Sequence, residues 1–550
     1  MDFKKEITKI LEKETKQKDI VLEIPPNPEL GDFAFPCFSL AKVYKKSPIE
    51  IAQELAKKID LSKIINKVEV KGPYLNFFVN KKSLSENVLK DIENNEEYGS
   101  LGLGKNKKII VEHTSINPNA SPHVGRARNA LIGDSIVRIL RFQGYDVKVH
   151  YLVNDFGKQI AMLLLGSKGK KPTFNDLLNI YIDINKKVEA DPTIEKKVFE
   201  ILKRLEEGDK KIKEEHKKII DTCIKGQTAI LAELDIKYDF FDYESEYLGN
   251  KKTDEILKKL EKTGKVFTDD EGRKVLNQEE FKLPMKSPVL VLTRGDGTSL
   301  YVLRDLAYNI DKKKGENIIV LGEDHKLYHQ QISAALDLLK HKPSRLVTYS
   351  FILLQDEKMS TRKGNVILLE DFMKEALEKA RKEIQKRHGE VKEENAKKIA
   401  YGAIKYAILK ISNEKNVLFD WDQALSFEGD SGPYLQYAYA RISSILEKNE
   451  AEVKGKVDYS LLETNEEIEL IKWLQKFPEV VKEATEQLKP NLIANYIFEL
   501  SSKFSHFYNA CPVLKAAPEH RKARLILIKC VQKVLKNGLS LLGIDVLEKM

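Results

Sequence analysis

The chain has 550 residues, too many for one hydrophobic core, and predicts three or four domains. Hydrophobic residues make up 42% and charged residues 32%, so each unit is expected to bury a core beneath long solvated helices, while a net charge of +9 is too modest to establish nucleic-acid binding. No run approaches the ~20 apolar residues of a membrane span, and the polar start from Met1 to Glu6 lacks the apolar stretch of a signal peptide, so the expected location is cytoplasmic.

In chain order, residues 1–105 read as a small α+β unit. Helical spacing appears at Phe3, Ile7, Ile10 and Leu11 and again from Ile49 to Ile59, with a turn-rich loop at Pro25–Asp32 between them. Two short strands follow around Gly72-Pro73, and 99–108 reads as a linker. Ile109-Ile110-Val111 then suits a buried parallel strand, the stretch from Arg126 to Gln143 a helix, and Val147 to Val153 a second strand. Strand, helix, strand is the unit of a doubly wound, Rossmann-type sheet. That pattern is expected to resume at Val289–Leu292 and Ile318–Leu321. The Lys/Glu-rich stretch at about 165–285 reads as a helical insertion, with His216 facing solvent. Beyond 370 nearly everything has helical spacing, which predicts a terminal helical bundle.

Charge is unevenly spread. Residues 501–550 hold nine Lys/Arg against three Asp/Glu, although a solvated helix surface would look the same. Cys37, Cys223, Cys511 and Cys530 lie far apart and predict buried thiols rather than zinc or disulfides. His325 and His329, beside Asp324, lack an evident third ligand for zinc, so no protein-held metal is expected.

Two short segments carry phosphate chemistry. Pro122-His123-Val124-Gly125-Arg126 falls between the first strand and its helix, where free N–H groups and the helix dipole favour anions. Lys358-Met359-Ser360-Thr361-Arg362-Lys363-Gly364 sets three cations and two hydroxyls in a run suited to closing over a triphosphate. Either alone is weak; the second could be an exposed basic turn. Elsewhere, Glu112 ends the first strand at the crevice where such sheets bind ligands, and Tyr301 and Asp305 lie one helical turn apart.

As a pair, the His-x-Gly and Lys-Met-Ser segments resemble the ATP-binding motifs of class I aminoacyl-tRNA synthetases. Glu112-His113-Thr114-Ser115-Ile116-Asn117, the run Phe427–Ala438 and Gly31-Asp32-Phe33-Ala34 narrow the likeness to the arginyl-tRNA synthetases, from about residue 20 onward. The resemblance implies ATP-dependent activation of L-arginine to arginyl-adenylate and its transfer to the 3′-terminal ribose of tRNA(Arg). It further implies Mg2+ with the ATP, tRNA bound before activation, and a monomer. It assigns ATP to Pro122, His123, Val124, Gly125, Arg126, Lys358, Met359, Ser360, Thr361 and Arg362, with His123, Gly125, Arg126, Lys358 and Ser360 catalytic. Glu112 and Asn117 would hold the amino acid's ammonium and carboxylate, Tyr301 and Asp305 its guanidinium, and Asp324 would line the crevice.

The implied domains are an N-terminal tRNA-binding module (1–105), a Rossmann-type catalytic domain (106–350), a connecting region with the Lys-Met-Ser loop (351–415) and a helical anticodon-binding bundle (416–550). Two positions depart from the class pattern: Arg126 replaces a second histidine, and Thr361 replaces the usual lysine. Rival readings are a synthetase for another amino acid, a non-catalytic RNA-binding relative, and a nucleotidyl transferase acting on a small acid. An intact His123 and Lys358 disfavour the second, and a basic bundle at 416–550 the third.

Overall fold

The computed structural model describes residues 3–25, 27–61, 64–248, 251–312, 315–354, 367–449 and 455–550. The N-terminal elements are α1 (Phe3–Thr15), β1 (Phe33–Pro36), α2 (Phe38–Tyr44), α3 (Pro48–Lys58), β2 (Ile65–Lys71), β3 (Tyr74–Val79) and α4 (Lys81–Asn94). The strands form an antiparallel sheet in the order β1-β3-β2. Sequence chemistry sets the boundaries: Ser47 and Glu50 form a capping box at α3, with Pro48 in its first turn, and the Asn80 side chain caps α4. Gly31 has φ +108°, and a Cβ there would lie 2.9 Å from the Phe77 carbonyl oxygen, so a side chain is excluded. Its neighbour Asp32 accepts a 2.7 Å hydrogen bond from Val79 N and pairs with Lys472 of the distant bundle.

Next come β4 (Lys108–Glu112), α5 (Val124–Phe142), β5 (Asp146–Val153), α6 (Lys158–Gly166), α7 (Phe174–Ala190), α8 (Pro192–Glu206), α9 (Lys210–Glu233), β6 (Phe240–Tyr243), α10 (Lys251–Glu261), β7 (Val266–Thr268), β8 (Lys274–Asn277) and β9 (Val289–Val291). They are followed by α11 (Tyr301–Asp311), β10 (Glu316–Gly322), α12 (Lys326–Leu338), β11 (Arg345–Tyr349) and β12 (Ile352–Leu354). The central sheet has five parallel strands in the order β11-β10-β4-β5-β6. From β4 the chain goes on to β5 on one side, and later returns to place β10 on the other. The crevice beyond the carboxyl ends of β4 and β10 is therefore the topological switch point, where doubly wound sheets bind ligands.

Three expectations need correction. Val289–Leu292 does not rejoin the parallel sheet, because β9 pairs antiparallel with β8 in a separate β7-β8-β9 sheet. The 165–285 stretch is not purely an insertion either, since it returns β6 to the edge of the main sheet against β5. Its helices α7–α9, together with the preceding α6, do gather around their own core, which includes Leu163, Leu177, Val198 and Ile220. Within α9, His216 is buried rather than solvated; its Nε2 lies 2.6 Å from the Asp155 carbonyl oxygen.

The remaining elements are α13 (Leu369–His388), α14 (Glu393–Leu409), β13 (Val417–Phe419), α15 (Trp421–Ala424), α16 (Gly432–Lys448), α17 (Asn465–Gln487), α18 (Asn491–Ala510) and α19 (Pro518–Leu541). β13 pairs in parallel with β12, tying the bundle's entry to the catalytic half. The motif at 427–438 does packing work. Ser431 caps α16, a Cβ on Gly432 would meet the Gly402 carbonyl oxygen at 2.6 Å, and buried Gln436 donates to the Lys398 and Asp545 carbonyls.

Besides the separate core of α6–α9, one cluster is shared across the other units rather than divided among them. One apolar cluster runs from Phe3 and Leu75 through Val111, Ile136 and Val347 to Ile471, Phe504 and Leu547. Polar ties cross the same boundaries. Ser135 on α5 donates to the Leu541 carbonyl at 2.8 Å, and buried Lys405 on α14 donates to the Gly543 carbonyl. All four cysteines are free and buried. Among the described residues, no helix is long and apolar enough to cross a membrane.

Candidate active site

The loop leaving β4 is a strained turn. Thr114 (φ 74°) and Ser115 (φ 42°) both adopt left-handed backbone, costly for a β-branched threonine, and they persist because polar contacts over-determine them. Thr114 N donates to Asn129 Oδ1 at 2.6 Å, and Tyr238 donates to Thr114 Oγ1 at 2.8 Å. Ser115 Oγ accepts from Leu152 N, and Tyr151 OH accepts from Ile116 N. Asn129 also donates to the Val320 carbonyl at 2.9 Å, so one α5 side chain bridges the β4 loop and β10. Within the turn, burial pushes the His113 imidazole down to about 3.

His123 stands at the N-cap of α5. Its Nδ1 is buried with no hydrogen-bond partner, and burial, helped by the Arg126 charge, pushes the imidazole down to about 4. The ring is therefore neutral at physiological pH and available as a hydrogen-bond donor. The backbone around it is committed: Val124 N donates to the Ile367 carbonyl at 3.0 Å, and Leu369 N donates to the Pro122 carbonyl at 2.8 Å. Gly125 and Arg126 occupy the first helical turn. One turn further, Arg128 is fully buried and donates to the carbonyls of Ser350 (2.7 Å) and Ser412 (2.9 Å), fixing the junction of β11, β12 and β13 to the same helix. Lys358, Met359, Ser360, Thr361 and Arg362 lie in 355–366, outside the described residues.

At the other end of the crevice, Glu112 is buried and its Oε2 receives Lys312 Nζ at 2.5 Å. Asp305 and Tyr301 do meet, through a third residue. The Tyr328 hydroxyl donates to Asp305 Oδ2, and the Tyr301 ring, 51% exposed, lies 5.6 Å from the Tyr328 ring. Burial raises the Asp305 carboxyl to about 7, and the nearby Glu244 and Glu112 charges add to the rise, while the Tyr328 hydrogen bond and Arg304 oppose it. A carboxyl so placed gains from a cationic ligand. Asn117 belongs to an amide cluster, accepting from Asn154 and donating to Gln159, both at 3.1 Å. Asp324 is exposed in the turn after β10, 3.5 Å from His325 Nε2.

Sequence reasoning passed over Lys312, Tyr328, the Arg304–Glu244 pair (2.9 Å) and the Asp242 carboxylate, which faces His150 at 2.7 Å and Tyr308 at 2.8 Å. A signal existed for part of this, since Tyr301, Asp305, Tyr308 and Lys312 recur at helical spacing along one side of α11. Glu112 and its lysine stand 200 residues apart, which no local pattern reveals. Among the described residues, no group of three His, Cys, Asp or Glu could hold a metal ion.

Comparison with known proteins finds relatives along the length of the chain. Residues 1–79 match the family described as the arginyl tRNA synthetase N-terminal domain, 87–421 the class I (R) tRNA synthetase catalytic domain, and 435–550 the DALR anticodon binding domain. The chain is 39% identical to an arginine–tRNA ligase of Methanocaldococcus jannaschii across 99% of both sequences. It is 38% identical to one from Clostridium perfringens across 100% of both. The solved arginyl-tRNA synthetase of Thermus thermophilus superposes with a TM-score of 0.83 at 29% identity, covering 100% of this chain and 99% of that one.

Proposed function

The chain belongs to the class I arginyl-tRNA synthetase family, and on that premise we propose that it activates L-arginine with ATP and transfers it to the 3′-terminal ribose of tRNA(Arg). The observation that carries the choice of amino acid is Asp305, a carboxyl with a neutral phenol as its hydrogen-bond partner and two further carboxylates nearby. A guanidinium has five donors in a planar fork and supplies the missing positive charge.

In this reading Asp305 and Tyr301 receive the guanidinium, Glu112 and Asn117 the ammonium and carboxylate end, and Asp324 borders the nucleotide. The arginine carboxylate attacks the α-phosphate in line, forming the mixed anhydride as pyrophosphate leaves. A tRNA ribose hydroxyl then attacks the carbonyl and releases AMP. Pro122, His123, Val124, Gly125 and Arg126 line the phosphate end, where neutral His123 donates a hydrogen bond and Arg126 supplies charge. Lys358, Met359, Ser360, Thr361 and Arg362 complete that end, with Lys358 and Ser360 acting on the pyrophosphate. No protein nucleophile is needed; positioning and electrostatics lower the barrier. Magnesium fits as a companion of the triphosphate, because such ions keep several waters and take phosphate oxygens rather than an all-protein cage.

The division into 1–105, 106–350, 351–415 and 416–550 assigns tRNA contacts to the two ends and chemistry to the middle, in a cytoplasmic monomer. Pyrophosphate exchange measured across the amino acids, with and without tRNA, tests the reading. Exchange is expected with arginine and tRNA together. Exchange driven by another amino acid would overturn the assignment, and sedimentation as a stable dimer would overturn the monomer.

A further inference from the structure

Four carboxylates crowd the side of the crevice formed by β4, β6, α11 and the turn after β6: Glu112, Asp242, Glu244 and Asp305. Three have an internal nitrogen partner. Glu112 holds Lys312 at 2.5 Å, with both side chains only 4% exposed. Glu244 holds Arg304 at 2.9 Å, and Asp242 faces His150 at 2.7 Å. Asp305 has the Tyr328 hydroxyl instead. Lys312 is also fixed from a second side, its ammonium 4.1 Å from the centre of the Tyr308 ring, whose hydroxyl is held by Asp242. A buried ammonium with this geometry is a permanent part of the site, since leaving either partner alone would strand a charge away from water.

We propose that Lys312 is a specificity-determining positioning residue: by neutralising Glu112 it leaves Asp305 as the one of these four carboxylates with no nitrogen partner of its own, so the pocket accepts a side chain bearing one positive charge. The planar fork then selects arginine among monocations. This rests on the reading that arginine binds at Asp305. The groups facing Asp305 are Tyr328 on α12, Glu112 on β4, Glu244 after β6, and Tyr301 and Arg304 on α11. Those facing Glu112 are Tyr308 on α11, Lys312 immediately after it, and His329 on α12. Removing the Lys312 charge leaves two like charges together, and one of the carboxylates must then take up a proton at higher pH.

The test is steady-state aminoacylation with saturating ATP and tRNA, arginine varied, from about pH 6 to about pH 9, on Lys312→Met, Lys312→Arg and the double variant Lys312→Met/Glu112→Gln. Lys312→Met is expected to raise the arginine KM about tenfold while sparing the ATP KM, and to move the acid limb of kcat/KM for arginine upward by about one pH unit. Lys312→Arg keeps the wild-type limb. The double variant restores the limb while its arginine KM stays high, because Glu112 is lost. A folded Lys312→Met enzyme whose limb does not move would reduce Lys312 to packing. If that variant does not fold, the double variant decides: a limb above the wild-type position overturns the proposal, and one at that position supports it. Failure to charge arginine at all in the unmodified enzyme would instead sink the functional reading.

Discussion

The two ends of the crevice are built on opposite plans. At the end proposed for the amino acid, carboxylates are mostly satisfied from within, Glu112 by Lys312 and Glu244 by Arg304, and the proposed selectivity rests on the one left over. At the end proposed for the nucleotide the backbone is tied down through Val124 and Leu369, while the His123 side chain is left neutral and its Nδ1 without a partner. Recognition of a fixed cation needs charge already in place. Stabilising charge that exists only during reaction needs rigid donors that are free until then. The same helix, α5, serves both, because Asn129 braces the strained β4 loop that follows Glu112.

Breaking the nucleotide end should cost the most, and in rate. His123→Ala, like Lys358→Ala, is expected to lower kcat by about a hundredfold to a thousandfold, the scale of losing one preorganised donor, with arginine KM nearly unchanged. Single-turnover adenylate formation measures this; a defect confined to arginine KM would erase the contrast between the ends. Asp305→Asn attacks the other end. Its arginine KM should rise by roughly tenfold to a hundredfold, as expected for one charge-assisted hydrogen bond, and the ATP KM should stay near normal. Equal rises in both constants would place Asp305 outside the pocket.

The pH dependence sharpens the comparison. Burial lifts the Asp305 carboxyl to about 7, so below that pH the free enzyme carries a proton where arginine needs a charge. kcat/KM for arginine should fall about tenfold per unit below about pH 7, and the ATP dependence, facing a histidine near 4, should not follow it. Stability runs the other way. A carboxyl raised above its unfolded value stabilises the fold at low pH and loses that contribution as pH rises through about 7. Added arginine should accordingly raise Tm more at about pH 8 than at about pH 6, a scan that a pH-independent shift would contradict. The smallest effect is expected from Tyr328→Phe, which removes a hydrogen bond that lowers the Asp305 carboxyl. An arginine KM about threefold to tenfold higher is expected, and no change would mean that Tyr328 only packs.

Much of this is legible in the sequence. The β4–α5–β5 unit follows from an apolar run, helical spacing and alternation, and Glu112 at a strand end and Asp305 one turn from Tyr301 do lie on one side of the crevice at the switch point. What escaped had no local signature. β9 was misplaced because a short apolar run looks alike in a parallel sheet and in a small antiparallel one. β6 offered no apolar run, and its Phe240 and Phe241 remain exposed. His216 sits among lysines and glutamates yet is buried, because its partner Asp155 comes from 61 residues away. The pairing of Lys312 with Glu112 is hidden for the same reason at greater range.

The contact between Ser135 and the Leu541 carbonyl has a bearing on how the molecule is made. These residues are 406 positions apart. At the usual ~5–20 residues per second of synthesis, α5 waits roughly 20–80 s on the ribosome before the segment that covers it emerges. Through that interval the helix that starts at His123 has β4 and β5, and only later β10, to pack against, but not its final cover. The nascent enzyme thus presents an apolar helix face to the cell during that wait. Chaperone demand should therefore peak late in translation, when most of the catalytic half has already been made.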